Sequence, residues 1–233
     1  FKNPEELMFN IVGVTKHITE KIKENGGDYK RENLNFLPCK DGEYFYRDEN
    51  DGAWRMYIYV DKALTYNKPK NADTFRNAGR SFGRFMKLLD GYPAETLYET
   101  IKNFHYTPAR YDNFLKAVEA DIKGRKAVCE EEIKFVTDRK CDTHKLTDLI
   151  AEGVLPLRVT HNDTKLNNVL FDINTNKGLC VIDLDTIMPG LSLYDFGDSI
   201  RSGANKAAED EADLSKVGID LELFEVYVDG FLS

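Results

Sequence analysis

The 233-residue sequence contains no run of eighteen apolar residues, so no segment reads as a membrane-spanning helix. No secretory signal is expected at its start. No basic run extends beyond a few residues, and the formal net charge is −8. That balance argues against nucleic acid and against an anionic membrane surface as partners. It leaves room for ATP, which arrives with Mg²⁺ and needs only local positive charge. The four cysteines (Cys39, Cys129, Cys141, Cys180) lie far apart and form no C-x-x-C pair. Neither a zinc site nor a disulfide framework is expected, and free thiols fit a reduced, cytoplasmic setting. No internal repeat or low-complexity tract is visible. A starting methionine is also missing, and the sequence stops inside an apparent helix that begins near Asp220. It reads as an excerpt, truncated at both ends, from a longer protein.

What is present is ordinary for a globular chain, with 42% apolar and 31% charged residues. The distinctive stretch is His161-Asn162-Asp163-Thr164-Lys165-Leu166-Asn167-Asn168, followed by Val181-Ile182-Asp183-Leu184-Asp185. It reads H-x-D-x-x-x-x-N and then an Asp at the end of an apolar strand, the layout of a kinase catalytic loop and its metal-binding Asp. Phosphoryl transfer needs a carboxylate to take the acceptor's proton, and two oxygen ligands to hold Mg²⁺ on the phosphates. Asp163 is the expected base, with Asn168 and Asp183 the expected metal ligands. Asn and Asp also favour plain turns, but apolar residues frame this loop on both sides and set it between short strands.

Neighbouring residues sort by the same chemistry. Asp195-Phe196-Gly197 spells a metal-binding triplet, yet it lies 32 residues after Asp163, whereas Asp183 lies 20 after. Asp195 is therefore expected to be structural, bonding the backbone of the catalytic loop from a helix start. His161 is expected to shape the loop rather than act as a base. Lys165 either neutralises the transferring phosphate or is a solvated loop lysine. Asp185, on the face of Asp183 by strand alternation, either touches metal or sugar hydroxyls or belongs to the turn before Pro189-Gly190. Arg201 is expected to pair with Asp198.

Along the chain, Asn3-Pro4-Glu5-Glu6 marks a helix start, with an apolar stripe of Leu7, Ile11, Val14, Ile18 and Ile22 and a stop at Gly26-Gly27. Strands are expected over residues 34–37, 44–46 and 54–60, joined at Asp41-Gly42 and Asp51-Gly52. A helix follows from Asn71 or Asp73, and Gly79 and Gly83 on it would allow close packing. Further helices are expected over 111–123, 126–139, 143–152, 193–201 and 220–232, with the catalytic loop at 161–168 and a metal strand at 179–185. This order is α+β and two-lobed, in the manner of a protein kinase. Residues 1–61 form the remainder of the N-terminal lobe, and residues 62–233 the mostly helical C-terminal lobe.

The runs Leu157 to Asn168, Ile182 to Gly190 and Tyr194 to Arg201 resemble the aminoglycoside phosphotransferase and choline kinase-like superfamily. Within it they are most similar to the N-acetylhexosamine 1-kinases. Looser similarity covers Gly52-Ala53-Trp54-Arg55, Thr65-Tyr66-Asn67 and Phe104-His105 with Thr107-Pro108. The resemblance implies ATP and Mg²⁺, with the γ-phosphate passed to the anomeric hydroxyl of GlcNAc or GalNAc. It also implies that the backbone of Tyr59, Val60 and Asp61 faces the adenine. The Gly-rich phosphate loop, the strand with the ATP-pairing Lys and the C-terminal helices of the family have no counterpart in this sequence, and the first helix offers no single ion-pair Glu. Two other readings stand beside the sugar 1-kinase. One is a kinase of the same fold acting on choline, ethanolamine, an aminoglycoside or another alcohol; the other is a nucleotide-binding pseudokinase scaffold.

Overall fold

Asn3 starts the first helix as its position predicts. In the computed structural model, which describes residues 3–233, its side chain accepts the Glu6 amide at 3.3 Å, and α1 spans Pro4–Glu24. All five residues of the predicted stripe are buried. One polar residue joins them. Asn10 is fully buried, and its amide donates to the carbonyls of Tyr98 (2.8 Å) and Ile187 (3.0 Å) while accepting the Tyr98 N–H (2.9 Å). A short helix α2 (Tyr29–Glu32) follows the left-handed Gly26.

The expected three-strand unit is shorter than its apolar pattern suggests. β1 (Tyr46–Arg47) pairs antiparallel with β2 (Ala53–Trp54), in the register Tyr46 to Trp54. Residues 34–37 and 54–60 meet only at a single bridge between Phe36 and Tyr57. The hairpin turn is held by Asp48, whose carboxylate accepts the amides of Asn50 and Gly52 and the Trp54 indole N–H. Tyr46, Trp54, Met56 and Tyr59 stand exposed along this segment.

Next, β3 (Ala63–Leu64) pairs with β5 (Val169–Asp172), which pairs in turn with β6 (Gly178–Val181), and all neighbours are antiparallel. A separate pair joins β4 (Arg158–Thr160) to β7 (Met188–Gly190). The loop between β4 and β5 is the predicted catalytic loop. α3 (Ala72–Leu88) begins at Asn71, whose side chain accepts the Thr74 amide, and it buries Phe75, Ala78, Phe82 and Phe85. It packs on α8 (Leu221–Phe231) at glycines. A Cβ on Gly83 would lie 2.2 Å from the Phe231 carbonyl oxygen, and one on Gly79 would lie 2.5 Å from that of Tyr227. α7 (Ser192–Gly203) sits beside β4.

The chain forms two compact units, one made of residues up to Thr100 with Arg158–Ser233, the other of Ile101–Leu157. The second unit is helical: α4 (Thr107–Ala120), α5 (Glu130–Thr137) and α6 (Lys145–Ala151). These replace the expected spans 111–123, 126–139 and 143–152. α4 opens at Thr107, four residues early, with Pro108 in its first turn, and a left-handed Asp121 closes it. No helix among the described residues is long and apolar enough to cross a membrane.

Candidate active site

The catalytic loop is fastened from beneath by one carboxylate. Asp195, in the first turn of α7 and 1% exposed, accepts the His161 amide on one oxygen (2.9 Å) and the Asn162 amide on the other (2.7 Å). Its own carbonyl accepts the Thr164 hydroxyl at 2.5 Å. Ser199 donates to the Thr164 carbonyl, and Tyr227 of α8 donates to Ser199. The loop is therefore tied to two helices through buried groups, where each bond is strong and each unmade bond costly. Asp195 takes the structural role its spacing suggests.

His161 is fully buried, edge-on to the rings of Phe82 and Phe85. Its Nε2 lies 2.9 Å from the Ile182 carbonyl oxygen, and its Nδ1 lies 3.3 Å from the Asp163 amide nitrogen. A carbonyl only accepts, so Nε2 carries the proton and Nδ1 accepts from Asp163 N–H. Both ring nitrogens are engaged in shaping the loop. Asn162 has a left-handed backbone (φ 67°), a conformation Asn tolerates better than most residues. Its amide group spans to the carbonyls of Thr160 and Thr186.

Asp163 thus emerges on a rigid support, partly exposed. The Asn168 amide nitrogen donates to the Asp163 carbonyl (2.8 Å) and to its carboxylate (3.2 Å), and Lys165 Nζ lies 3.4 Å from the other carboxylate oxygen. Using its nitrogen in this way leaves the Asn168 side-chain oxygen as the atom available to a cation.

Asp183 corrects the sequence expectation in detail. The metal strand expected over 179–185 ends at Val181, where its pairing with β5 runs out at Val169. Ile182 still donates to the Asn168 carbonyl at 2.9 Å, which holds Asp183 beside the catalytic loop. Asp183 itself is left-handed (φ 60°) and opens a 3₁₀ turn over Leu184–Thr186. Strand alternation therefore does not relate Asp185 to Asp183; the tight turn brings them together. The Asp183 carboxyl is raised above the usual carboxylate range, first by surrounding protein, then by the charges of Asp185 and Asp163, with Arg55 opposing. The neighbouring charges of Asp185 and Asp163 make ionisation of Asp183 harder.

Arg55 is the residue that sequence reasoning passed over. It reaches from the segment after β2 to form an ion pair with Asp185, and its guanidinium also lies over the Phe36 ring. Only the loose similarity around Gly52 to Arg55 pointed toward it. Tyr59, Val60 and Asp61 lead from that segment into β3, beside β5. Val60 is buried, Tyr59 is 77% exposed, and the Asp61 carbonyl accepts from Arg31. Arg201 is paired with Asp198 and Glu209.

No group of three or more His, Cys, Asp or Glu side chains suited to hold a metal occurs among the described residues. The hard oxygens of Asn168 and Asp183 nevertheless suit Mg²⁺, which is commonly held by one or two protein oxygens with phosphates and water filling the rest.

Comparison with known proteins bears on the family and the fold. A family model described as the phosphotransferase enzyme family covers residues 27–218. Among solved structures, an aminoglycoside phosphotransferase from Alicyclobacillus acidocaldarius aligns over 98% of this chain, with a TM-score of 0.59 and 11% identity. A microcompartment-associated aminopropanol kinase aligns over 95%, with a TM-score of 0.54 and 17% identity. An AMP-bound spectinomycin phosphotransferase aligns over 94%, with a TM-score of 0.53 and 13% identity. Identities this low speak to fold alone, which is the kinase-like α+β fold. The chain spans 64%, 64% and 66% of the length of those three structures.

Proposed function

The chain belongs to the phosphotransferase enzyme family, and on that premise we propose that it carries the catalytic half of an ATP-dependent small-molecule kinase, whose acceptor is the anomeric hydroxyl of an N-acetylhexosamine. The observation that carries the reading is Asp163, held by Asn168 on a loop that Asp195 fixes. In this mechanism the acceptor hydroxyl gives its proton to the Asp163 carboxylate as its oxygen attacks the γ-phosphorus. The bond to the bridging oxygen breaks, and ADP leaves with that electron pair. Lys165, already beside Asp163, offsets charge on the transferring group.

Asn168 and Asp183 would hold Mg²⁺, which when bound offsets negative charge on the phosphates. Relief of the crowding among Asp163, Asp183 and Asp185 supports that assignment. Tyr59, Val60 and Asp61 would present backbone to the adenine; Tyr59 and Val60 make no backbone hydrogen bond among the described residues. Asp185, tied to Arg55, is better suited to ordering the turn and meeting a sugar hydroxyl than to binding metal directly. The lobe boundary near residue 61 belongs to the same reading.

The solved neighbours include an aminopropanol kinase and a spectinomycin phosphotransferase. An amino alcohol or aminoglycoside acceptor is accordingly the second reading. A scaffold without catalysis has no use for Asp163, Asn168 and Asp183 together.

The test is ADP release by the full-length protein with ATP, Mg²⁺ and, in turn, GlcNAc, GalNAc, choline and kanamycin. Release with the hexosamines is expected, and release with choline or kanamycin alone would sink the sugar assignment. Asp163→Asn is expected to lower kcat by about 10²–10⁴-fold, the range for a removed general base. Full activity in that variant would refute the mechanism.

A further inference from the structure

A cavity of about 500 Å³ opens on the Lys165 side of the catalytic loop, a size within the usual range for one small-molecule ligand. Lys165 and Asn167 form one wall, Lys68 in the segment after β3 another, and Arg201, Lys206 and Glu209 the third. Lys165 connects this lining to the expected base, since its ammonium faces Asp163 at 3.4 Å. Glu209 lies close enough to feel it: its carboxyl is held below the usual range by Arg201 first and then by Lys165.

The charges of this lining do not cancel. Arg201 is neutralised by Asp198 and Glu209, and Lys165 by Asp163. Asp220, the other acid of the lining, is committed to the amides of Glu222 and Leu223 at the start of α8. Lys68 and Lys206 make no ion pair among the described residues. What remains is a polar cavity that Asp163 does not itself line and that meets the base through Lys165, with two ammonium groups, Lys68 and Lys206, outside any ion pair.

We infer that this cavity receives the acceptor and that its residual positive charge selects polyhydroxylated acceptors without positive charge over cationic ones. The inference rests on the proposed transfer to a sugar and deepens it, since it separates neutral sugars from the amino alcohols and aminoglycosides of the second reading. Asn167 and Glu209 offer hydrogen bonds to hydroxyls, while an acceptor ammonium would meet Lys68 and Lys206 with like charge.

The test compares two sugars that differ in one charge, N-acetylglucosamine and glucosamine, at a pH where the glucosamine amine is protonated. Calorimetric Kd values and acceptor-dependent ADP release are measured on the full-length wild type and on Lys68→Glu/Lys206→Glu. Both positions are exposed loop residues, and a Lys68→Gln/Lys206→Gln pair gives a milder second variant. The wild type is expected to prefer the acetamido sugar, and the charge reversal to narrow that preference by about five-fold or more. An unchanged ratio in both variants overturns the inference, as does a wild type that binds neither sugar or binds glucosamine better. Charge-selective binding without ADP release would instead overturn the transfer reading and leave the cavity assignment standing.

Discussion

Asp183 concentrates the electrostatic tension of the site. An acid whose folded pKa is raised destabilises the fold once ionised. That cost is absent below the ordinary carboxylate value of about 3.9 and complete above the raised folded value. With chelator present, Asp183→Asn is therefore expected to raise Tm at about pH 8, with a gain that shrinks toward about pH 4. The gain is modest, because Asp183 is open to water. Thermal unfolding at both pH values checks it; a loss of Tm, or a gain equal at both, would contradict the account. The same residue shows where sequence reading ends. Its spacing from Asp163 singled the side chain out as a candidate, but its left-handed backbone depends on where β5 stops pairing, which no local pattern records. Asp195 was legible in role as well as position, because a carboxylate at a helix start next to a polar loop has amides to accept. Arg55 was not, since its partner Asp185 lies far along the chain and its own segment reads as an exposed edge.

At the scale of elements, helices were read better than strands. The period of Leu7, Ile11, Val14, Ile18 and Ile22 and the caps at Asn3 and Asn71 are local signals, and α1 and α3 follow them. The strands near Tyr46 and Trp54 depend on pairing across the sheet, and only two-residue ladders form. The packing of α3 on α8 makes a sharper test. Alanine favours a helix over glycine by about 1 kcal/mol, yet a Cβ on Gly83 would meet the Phe231 backbone at 2.2 Å. Overpacking against backbone costs roughly 1–3 kcal/mol, so Gly83→Ala is expected to lower Tm. Gly197→Ala in α7, where nothing lies within 4 Å of the new Cβ, is expected to raise it. Denaturant unfolding of the two variants gives the comparison; equal shifts of one sign would refute the close-packing account.

Across the whole molecule, stability is unevenly distributed. The unit over 101–157 joins its helices through Asp121 and Gly124, both left-handed, and leaves Ile122 and Val128 at 86% and 80% exposure. Such turns are favoured sites of nicking. Limited trypsin digestion is expected to cut first after Lys123, Arg125 or Lys126, as read by mass spectrometry. A first cut between Arg158 and Gly190 would show the catalytic segment to be the weaker one. The sequence marks a non-helical link at 103–108, close to this boundary, but places the helices on either side of it in one lobe, because nothing in the composition separates them.

Buried Asn10 has a bearing on control. It fastens α1 to Tyr98 and to Ile187, four residues past Asp183, through three hydrogen bonds. An outward swing of α1 would strip all three bonds from a side chain with no access to water, at about 1 kcal/mol or more for each. The helix and the turn are geared together, and a switch of that kind would have to move both or neither.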